Sequence, residues 1–483
     1  MRLKNTREVA KPLPHRGRPG GGRNLSLDSL RGFAILAMVL SSSIAFGILP
    51  AWMYHAQTPP PGHVYNPELP GITWVDLVFP FFLFSMGAAI PLALNKKVKE
   101  GSGTGSVLYT AIRRFAGLVF FALFTMHARS MSKEPDSWYY GLQIASFVLL
   151  FFQWYTPANT LHKTRWLVIK ALAFTGAGCM LFALPFKDGN GFSLYRSDII
   201  ILVLANMALF GTIVWWFTQN KPAWRIALLP FLMAIILGAK TPGSWNEMVM
   251  QWSPAGWMYK FFYLKYLFII IPGTLAGDWL VADAGSNKTE AAELPAGTIK
   301  KMAVLSVFII AANVILLFGR HTTLNLILTV CSCAACYFIL HQIPQKQPSL
   351  IHRFFTAGAY LLLLGLFFEA WEGGIKKDPS TFSYYFVTAG LAFFMLMAFH
   401  GLQLTNAGSR VAGYFSYNGR NPMVAYVTGN LLLLPLLHLS GGYDLYTGMQ
   451  KNIVGGVVSG LIFTGIVSII TVVFTKKGWQ WKT

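Results

Sequence analysis

Apolar residues in this chain run on in long blocks, with little of the period-two alternation that marks a half-buried strand. A hydrocarbon layer of roughly 30 Å is crossed by about 20 mostly apolar helical residues, and such blocks recur from residue 31 to residue 475. The clearest begin near Gly32, Thr73, Val107, Tyr139, Trp166, Asp198, Lys260, Lys301, Phe354, Ser383, Pro422 and Ile453, with shorter ones over 224–239 and 322–340. The pattern predicts an all-α fold, a polytopic integral membrane helical bundle of about 11–14 transmembrane helices. It argues against an outer-membrane barrel, whose strands alternate over about ten residues.

Composition agrees: 54% of the residues are hydrophobic and 12% charged, against about 25% charged in soluble domains, and the mean hydropathy is +0.50. The net charge of +21 is spread in short basic clusters between apolar blocks, so it reads as a topology signal and not as a nucleic-acid surface. Arg2, Lys4, Arg7, Lys11, Arg16, Arg18, Arg23 and Arg31 precede or open the first block, whereas the stretch between the first two blocks holds no Lys or Arg. The positive-inside rule then places the N-terminus in the cytoplasm. Lys96, Lys97, Lys99, Arg113 and Arg114 mark the next inner loop, and Lys476, Lys477 and Lys482 an inner C-terminus, which requires an even number of spans. No signal peptide is expected, and the first helix should remain as an anchor. The four cysteines fall inside apolar blocks, and the run CSCAAC at 331–336 has no flanking His or acidic residue that would favour a metal site.

Residues 1–25 are rich in Arg, Pro and Gly and are expected to form a disordered basic cytoplasmic tail. Residues 26–483 read as a single transmembrane domain with no detectable internal repeat, and the hydrophilic stretch 284–298 as a cytoplasmic linker between its halves. Residues 50–73 contain six prolines and two histidines, His55 and His63. Proline presets the backbone, so an ordered extracytoplasmic loop is expected there, and such loops commonly carry chemistry.

Asp28 and Arg31, in SLDSLRGF, have the spacing of a helix-surface ion pair. They can anchor the helix at the interface, or Arg31 can help hold an anionic cytoplasmic ligand. Asp76 stands about one turn inside an otherwise uncharged helix, where a carboxylate needs a partner. It can cap the helix locally or orient a loop histidine. Lys260, Lys265 and Asp278 flank IIIPGTLAGDWL, a segment able to admit phosphates or a thin acyl carrier arm or simply to snorkel its charges. Glu369, Glu372, Lys376, Lys377 and Asp378 form a charged outer run that can meet a sugar or be plain solvated charge.

Taken together, SLDSLRGFAILAMVL, the His-bearing loop, GITWVDLVFPFFLFSMG and the later GRNPMVAYV resemble the heparan-α-glucosaminide N-acetyltransferase family and its bacterial relatives. The resemblance implies a transmembrane acyltransferase of a bacterial cytoplasmic (inner) membrane. It would move acetyl from cytoplasmic acetyl-CoA to an amino sugar or glycan amine on the other side, through a loop histidine. By position it carries over Gln143, Ser383 and Asn421 as substrate-binding residues, with Ser42 where the family has Asn. Catalysis would fall to His55 or His63 with Asp76, and the co-substrate to Arg31, Asp28 and Lys265. His55 keeps the family's His-Ala dipeptide, while His63 fits better by its distance to Gly71 and Asp76. The expected partners are acetyl-CoA, the acceptor and the lipid bilayer, with a homodimer left open and no nucleic acid or metal. A sugar or glycan transporter or flippase without covalent chemistry is the alternative, and a membrane scaffold for a glycan-processing complex a third.

Overall fold

The computed structural model describes residues 24–130, 136–157, 163–186, 191–285, 294–343 and 348–481. Residues 1–23 of the expected tail and the middle of the expected 284–298 linker lie outside these residues, while Asn24 and Leu25, also assigned to the tail, cap and open the first helix. In chain order the α-helices are α1 (Leu25–Ser43), α2 (Trp74–Lys99), α3 (Thr104–Ala128), α4 (Ser137–Trp154), α5 (Lys163–Ala183) and α6 (Ile199–Thr218). Next come α7 (Pro222–Gly238), α8 (Trp245–Gln251), α9 (Leu267–Gly285), α10 (Ala296–Phe318), α11 (Thr322–His341) and α12 (Leu350–Trp371). The chain finishes with α13 (Phe382–Leu402), α14 (Asn406–Gly419), α15 (Pro422–Thr428), α16 (Leu434–Leu439), α17 (Gly442–Met449) and α18 (Ile453–Lys476). A π-helical turn, Gly429–Leu433, joins α15 to α16 as one span, and no β-strand occurs among the described residues.

Twelve of these segments are long and apolar enough to cross a membrane, so this is a polytopic helical membrane protein. Contacts show that two more helices run the same depth. Arg129, just after α3, pairs with Asp198 at the start of α6. Because α5 is itself a span, α4 must cover the same distance in the opposite direction for α6 to start where α3 ended. Likewise Arg225 near the start of α7 pairs with Asp278 late in α9, and Trp215 late in α6 donates to the same carboxylate. The 17-residue α7 must therefore cross for α9 to begin at the far end. The described chain thus makes fourteen passes, an even number, and Asp28 and Trp481 come to the same end through Arg420 and Asn421. We call this the terminal end, and the opposite one, which carries residues 44–73, the loop end.

Helix α1 begins at Leu25, seven residues before the apolar block suggests, because Asn24 caps it and Ser26, Asp28 and Ser29 are buried by a partner helix. That partner is α14, and the crossing is made at glycines. A Cβ on Gly32 would stand 1.8 Å from the Phe415 carbonyl oxygen, and one on Gly419 1.9 Å from that of Asp28. Two motifs nearly 400 residues apart in sequence, SLDSLRGF and GRNPMVAYV, are thereby locked together, and Ser29 Oγ donates to the Ala412 carbonyl across the same seam. Helix α13 is the axis of the bundle and is almost wholly buried. Leu167 and Phe182 on α5, Val304 and Ile315 on α10 and Ile469 on α18 face outward, as expected for side chains whose solvent is lipid.

Candidate active site at the loop end

The loop after α1 folds back on its own backbone. The Tyr54 hydroxyl donates to Ala45 O at 2.6 Å and accepts from Leu49 N at 3.0 Å, while the Thr73 hydroxyl donates to Tyr54 O at 2.7 Å. Thr73 is the N-cap of α2, and Asp76, three residues on, reaches back to the Thr73 N–H at 3.0 Å to complete a capping box. The Asp76 oxygen that caps the helix also accepts from Ala56 N at 3.2 Å. Its other oxygen lies 2.8 Å from His55 Nδ1. Asp76 therefore does both things its position suggests: it ends the helix and it orients the loop histidine. Its side chain is 1% exposed and that of His55 43%. With Nδ1–H donated to the carboxylate, Nε2 carries the free lone pair and is the nitrogen left for chemistry.

A third group completes the cluster. Lys377 Nζ lies 3.0 Å from His55 Nδ1, 3.4 Å from Nε2 and 3.7 Å from Asp76 Oδ1. The two imidazole nitrogens flank one ring carbon, so near-equal distances this short put the ammonium against the ring face and out of its plane. Burial pulls the Lys377 ammonium below the ordinary lysine range, with Asp76 and Asp378 holding it up. Lys377 arrives on residues 372–381, which are tied to the first loop. Gln57 Oε1 accepts from Asp378 N at 2.9 Å, its Nε2 donates to Asp378 O, and Gly71 N donates to Ile375 O at 2.7 Å. Lys376 pairs with Glu68 at 2.8 Å.

His63 has a different task. It takes a left-handed backbone (φ 48°), its Nε2 accepts from Gly47 N at 3.1 Å, and its ring stacks on Phe46 at 3.8 Å and edge-on to Tyr54 at 4.5 Å. The lone pair a base would use is occupied by the backbone. His63 braces the loop that holds His55.

Two cavities meet at His55. The outer, about 460 Å³, is rimmed by Phe46, Tyr54, Thr58, Tyr443, Tyr446 and Gln450. The deeper, about 320 Å³, reaches Met38, Phe79, Arg129 and Tyr426 and includes Lys377. Ser41, Ser42, His55 and Val75 line both. Arg129 stacks over the Tyr426 ring at 5.2 Å, and the Tyr426 hydroxyl donates to Asp198, whose other oxygen caps α6.

The other residues singled out from sequence are dispersed. Gln143 is buried on α4 and donates to the Tyr139 hydroxyl, which donates to Arg129 O, so it stands behind the deep cavity. Ser383 is buried beside Thr381 and, through its N–H, holds Glu372, fixing the segment that presents Lys377. Asn421 is at the terminal end, where its amide grips Trp479 O and Trp481 N. Asp28 pairs there with Arg31 at 3.5 Å and Arg420 at 3.6 Å, and Arg31 also donates to Ser85 O. Lys265 lies at the loop end instead, with its Nζ over the Phe262 ring at 4.2 Å and Asp378 and Glu372 within electrostatic range. It shares no site with Asp28 and Arg31.

The family model described as a domain of unknown function, DUF5009, matches residues 23–280, more than half of the chain. The chain belongs to the DUF5009 family. No curated protein matches it. The DUF5009 match contains His55, Asp76, Arg129 and the α1 side of the glycine seam, and ends before Lys377 and α14.

Proposed function

We propose that this DUF5009 protein is a transmembrane acyltransferase that takes an acyl group, acetyl by the sequence resemblance, from acyl-CoA at the terminal end and delivers it to a glycan at the loop end. The observation that carries the reading is the 2.8 Å His55–Asp76 pair, with the second imidazole nitrogen at the junction of two cavities. A buried carboxylate on Nδ1 fixes the tautomer and stabilises the imidazolium that forms when Nε2 takes a proton. His55 can act as general base for the acceptor, or as a nucleophile that carries the acyl group between donor and acceptor.

The donor end suits a phosphate-bearing substrate. Arg31 and Arg420 pair with Asp28, Arg114 lies within electrostatic range of Arg31, and the Nε of Arg114 is buried without a hydrogen-bond acceptor. Guanidinium donors of this kind match phosphate oxygens. From Arg31 to Ser42, α1 rises about 16 Å, which is the span a thin carrier arm would have to bridge. The Lys and Arg at 96–99, 163–170 and 476–477 support a cytoplasmic terminal end by the positive-inside rule, in keeping with the bacterial inner membrane that the sequence resemblance implies.

Protein purified into nanodiscs and given labelled acetyl-CoA with amino sugars and neutral oligosaccharides is expected to transfer label to an acceptor, and a His55→Gln variant to lose that transfer. Absence of any labelled product across the acceptor panel would sink the reading.

A further inference from the structure

The electrostatics around His55 narrow the acceptor. The geometry points to an uncharged sugar hydroxyl as the acyl acceptor, giving an ester, in place of the ammonium-bearing amino sugar that the sequence resemblance implies; this rests on the acyltransferase reading above.

An acceptor heteroatom activated by His55 must come within about 2.6–3.2 Å of Nε2. Lys377 Nζ is already 3.4 Å from that nitrogen, so an acceptor ammonium would stand within about 6.5 Å of a second cation. Asp76, 3.7 Å from Lys377 Nζ, and Asp378 beside it already face the Lys377 ammonium, and neither lines the outer cavity, so no carboxylate of that lining faces the acceptor. Asp76 is 1% exposed and its oxygens serve His55, Ala56 N and Thr73 N. Glu372 takes the N–H groups of Phe382 and Ser383, and Glu68 takes Lys376. Asp198 caps α6 and accepts from Tyr426. The outer cavity is bounded by hydroxyl, amide, imidazole and aromatic groups such as Tyr443, Tyr446, Thr58 and Gln450, with no acidic or basic side chain among its described lining except the histidines. Aromatic faces beside hydroxyl and amide groups suit a neutral polyol.

The same ammonium favours a hydroxyl acceptor. As the hydroxyl oxygen bonds to the thioester carbonyl carbon, its proton passes to His55 Nε2 and the carbonyl oxygen becomes anionic. Lys377 supplies the opposite charge beside it. Collapse breaks the carbon–sulfur bond, the leaving thiolate takes the proton from Nε2, and the products are an O-acyl sugar and free CoA thiol.

The test is a competition at neutral pH between matched oligosaccharides, one bearing a free amine and one bearing hydroxyls only, with labelled acetyl-CoA and nanodisc-embedded protein. After the donor is removed, alkaline hydroxylamine releases ester-bound label and leaves amides intact. Ester on the neutral acceptor is expected to form at least about tenfold faster than amide on the amine, the scale of one cation–cation contact near a protein surface. Lys377→Met should narrow that preference and Lys377→Arg should keep it. Amide formation at an equal or greater rate overturns this inference and leaves the acyltransferase reading standing; no transfer to either acceptor overturns both. Should Lys377→Met fail to fold, the wild-type ester-to-amide ratio decides alone.

Discussion

Asp76 holds His55 with one carboxylate oxygen while the other closes the N-terminus of the helix that carries it. The orientation of the candidate base is thereby coupled to a secondary-structure boundary, and a rigid element sets the site geometry.

Two histidines in one loop should respond to substitution in opposite ways. His55→Gln is expected to lower turnover by about 10²-fold or more, with little change in the melting temperature of a side chain 43% exposed. His63→Ala removes the acceptor of Gly47 N and a stacked ring, so it should cost about 1–2 kcal/mol of stability and lower turnover less. Paired thermal-unfolding and transfer assays check this; equal losses of turnover would defeat the division of roles.

Asp76→Asn keeps an oxygen for the cap and loses the charge opposite His55 Nδ1. The expected result is a fall in turnover of about 10²–10⁴-fold, as for a misassigned tautomer, with about 1 kcal/mol or less lost from the α2 cap. Nitrogen NMR of labelled histidine would report the tautomer directly, and an unchanged Nδ1–H form in the variant would contradict the assignment.

Lys377 gives a pH signature with a definite sign. Burial lowers its folded-state pKa from the ordinary 10.5, so between the lowered value and about 10.5 the unfolded chain binds more protons than the folded one. Its contribution to stability therefore rises with pH through that window and is absent below it. The difference in melting temperature between wild type and Lys377→Met, followed upward in pH toward 10, should shift in favour of wild type; a flat difference would mean the ammonium is not buried as described.

At the α1–α14 crossing, Gly32→Ala and Gly419→Ala each place a methyl group under 2 Å from a carbonyl oxygen. Backbone must move in response, so each should cost about 3 kcal/mol or more. Size-exclusion profiles and melting curves in detergent provide the measurement, and near-wild-type stability of either variant would show the helices are not in contact there.

The bundle was legible because lipid-exposed and buried helix faces are both apolar, so span length alone marks the segments. The pass through α7, only 17 residues long, was harder to read, whereas α4 stood out even though Tyr139, Tyr140, Gln143 and Gln153 dilute its hydropathy. Within the site, an acidic residue in an uncharged helix and histidines in a proline-rich loop stood out. Lys377 did not, since its run of mixed charges resembles any solvated turn and its partner His55 is 322 positions away. The choice between His55 and His63 was also closed to sequence, because it depends on which ring nitrogen meets a carboxylate and which meets a backbone N–H. Lys265 falls at the loop end, away from Asp28 and Arg31, because the short α7 crosses before it.

The Gln57–Asp378 and Gly71–Ile375 hydrogen bonds join the loop between α1 and α2 to a segment that follows α12. On the ribosome this means that His55 and Asp76 emerge long before their third companion, and the intact cluster exists only after the α12–α13 hairpin has been threaded into the bilayer. A nascent chain halted after residue 280 would hold the DUF5009 match and the imidazole–carboxylate pair, yet remain without the ammonium, so the protein becomes chemically complete only late in its own synthesis.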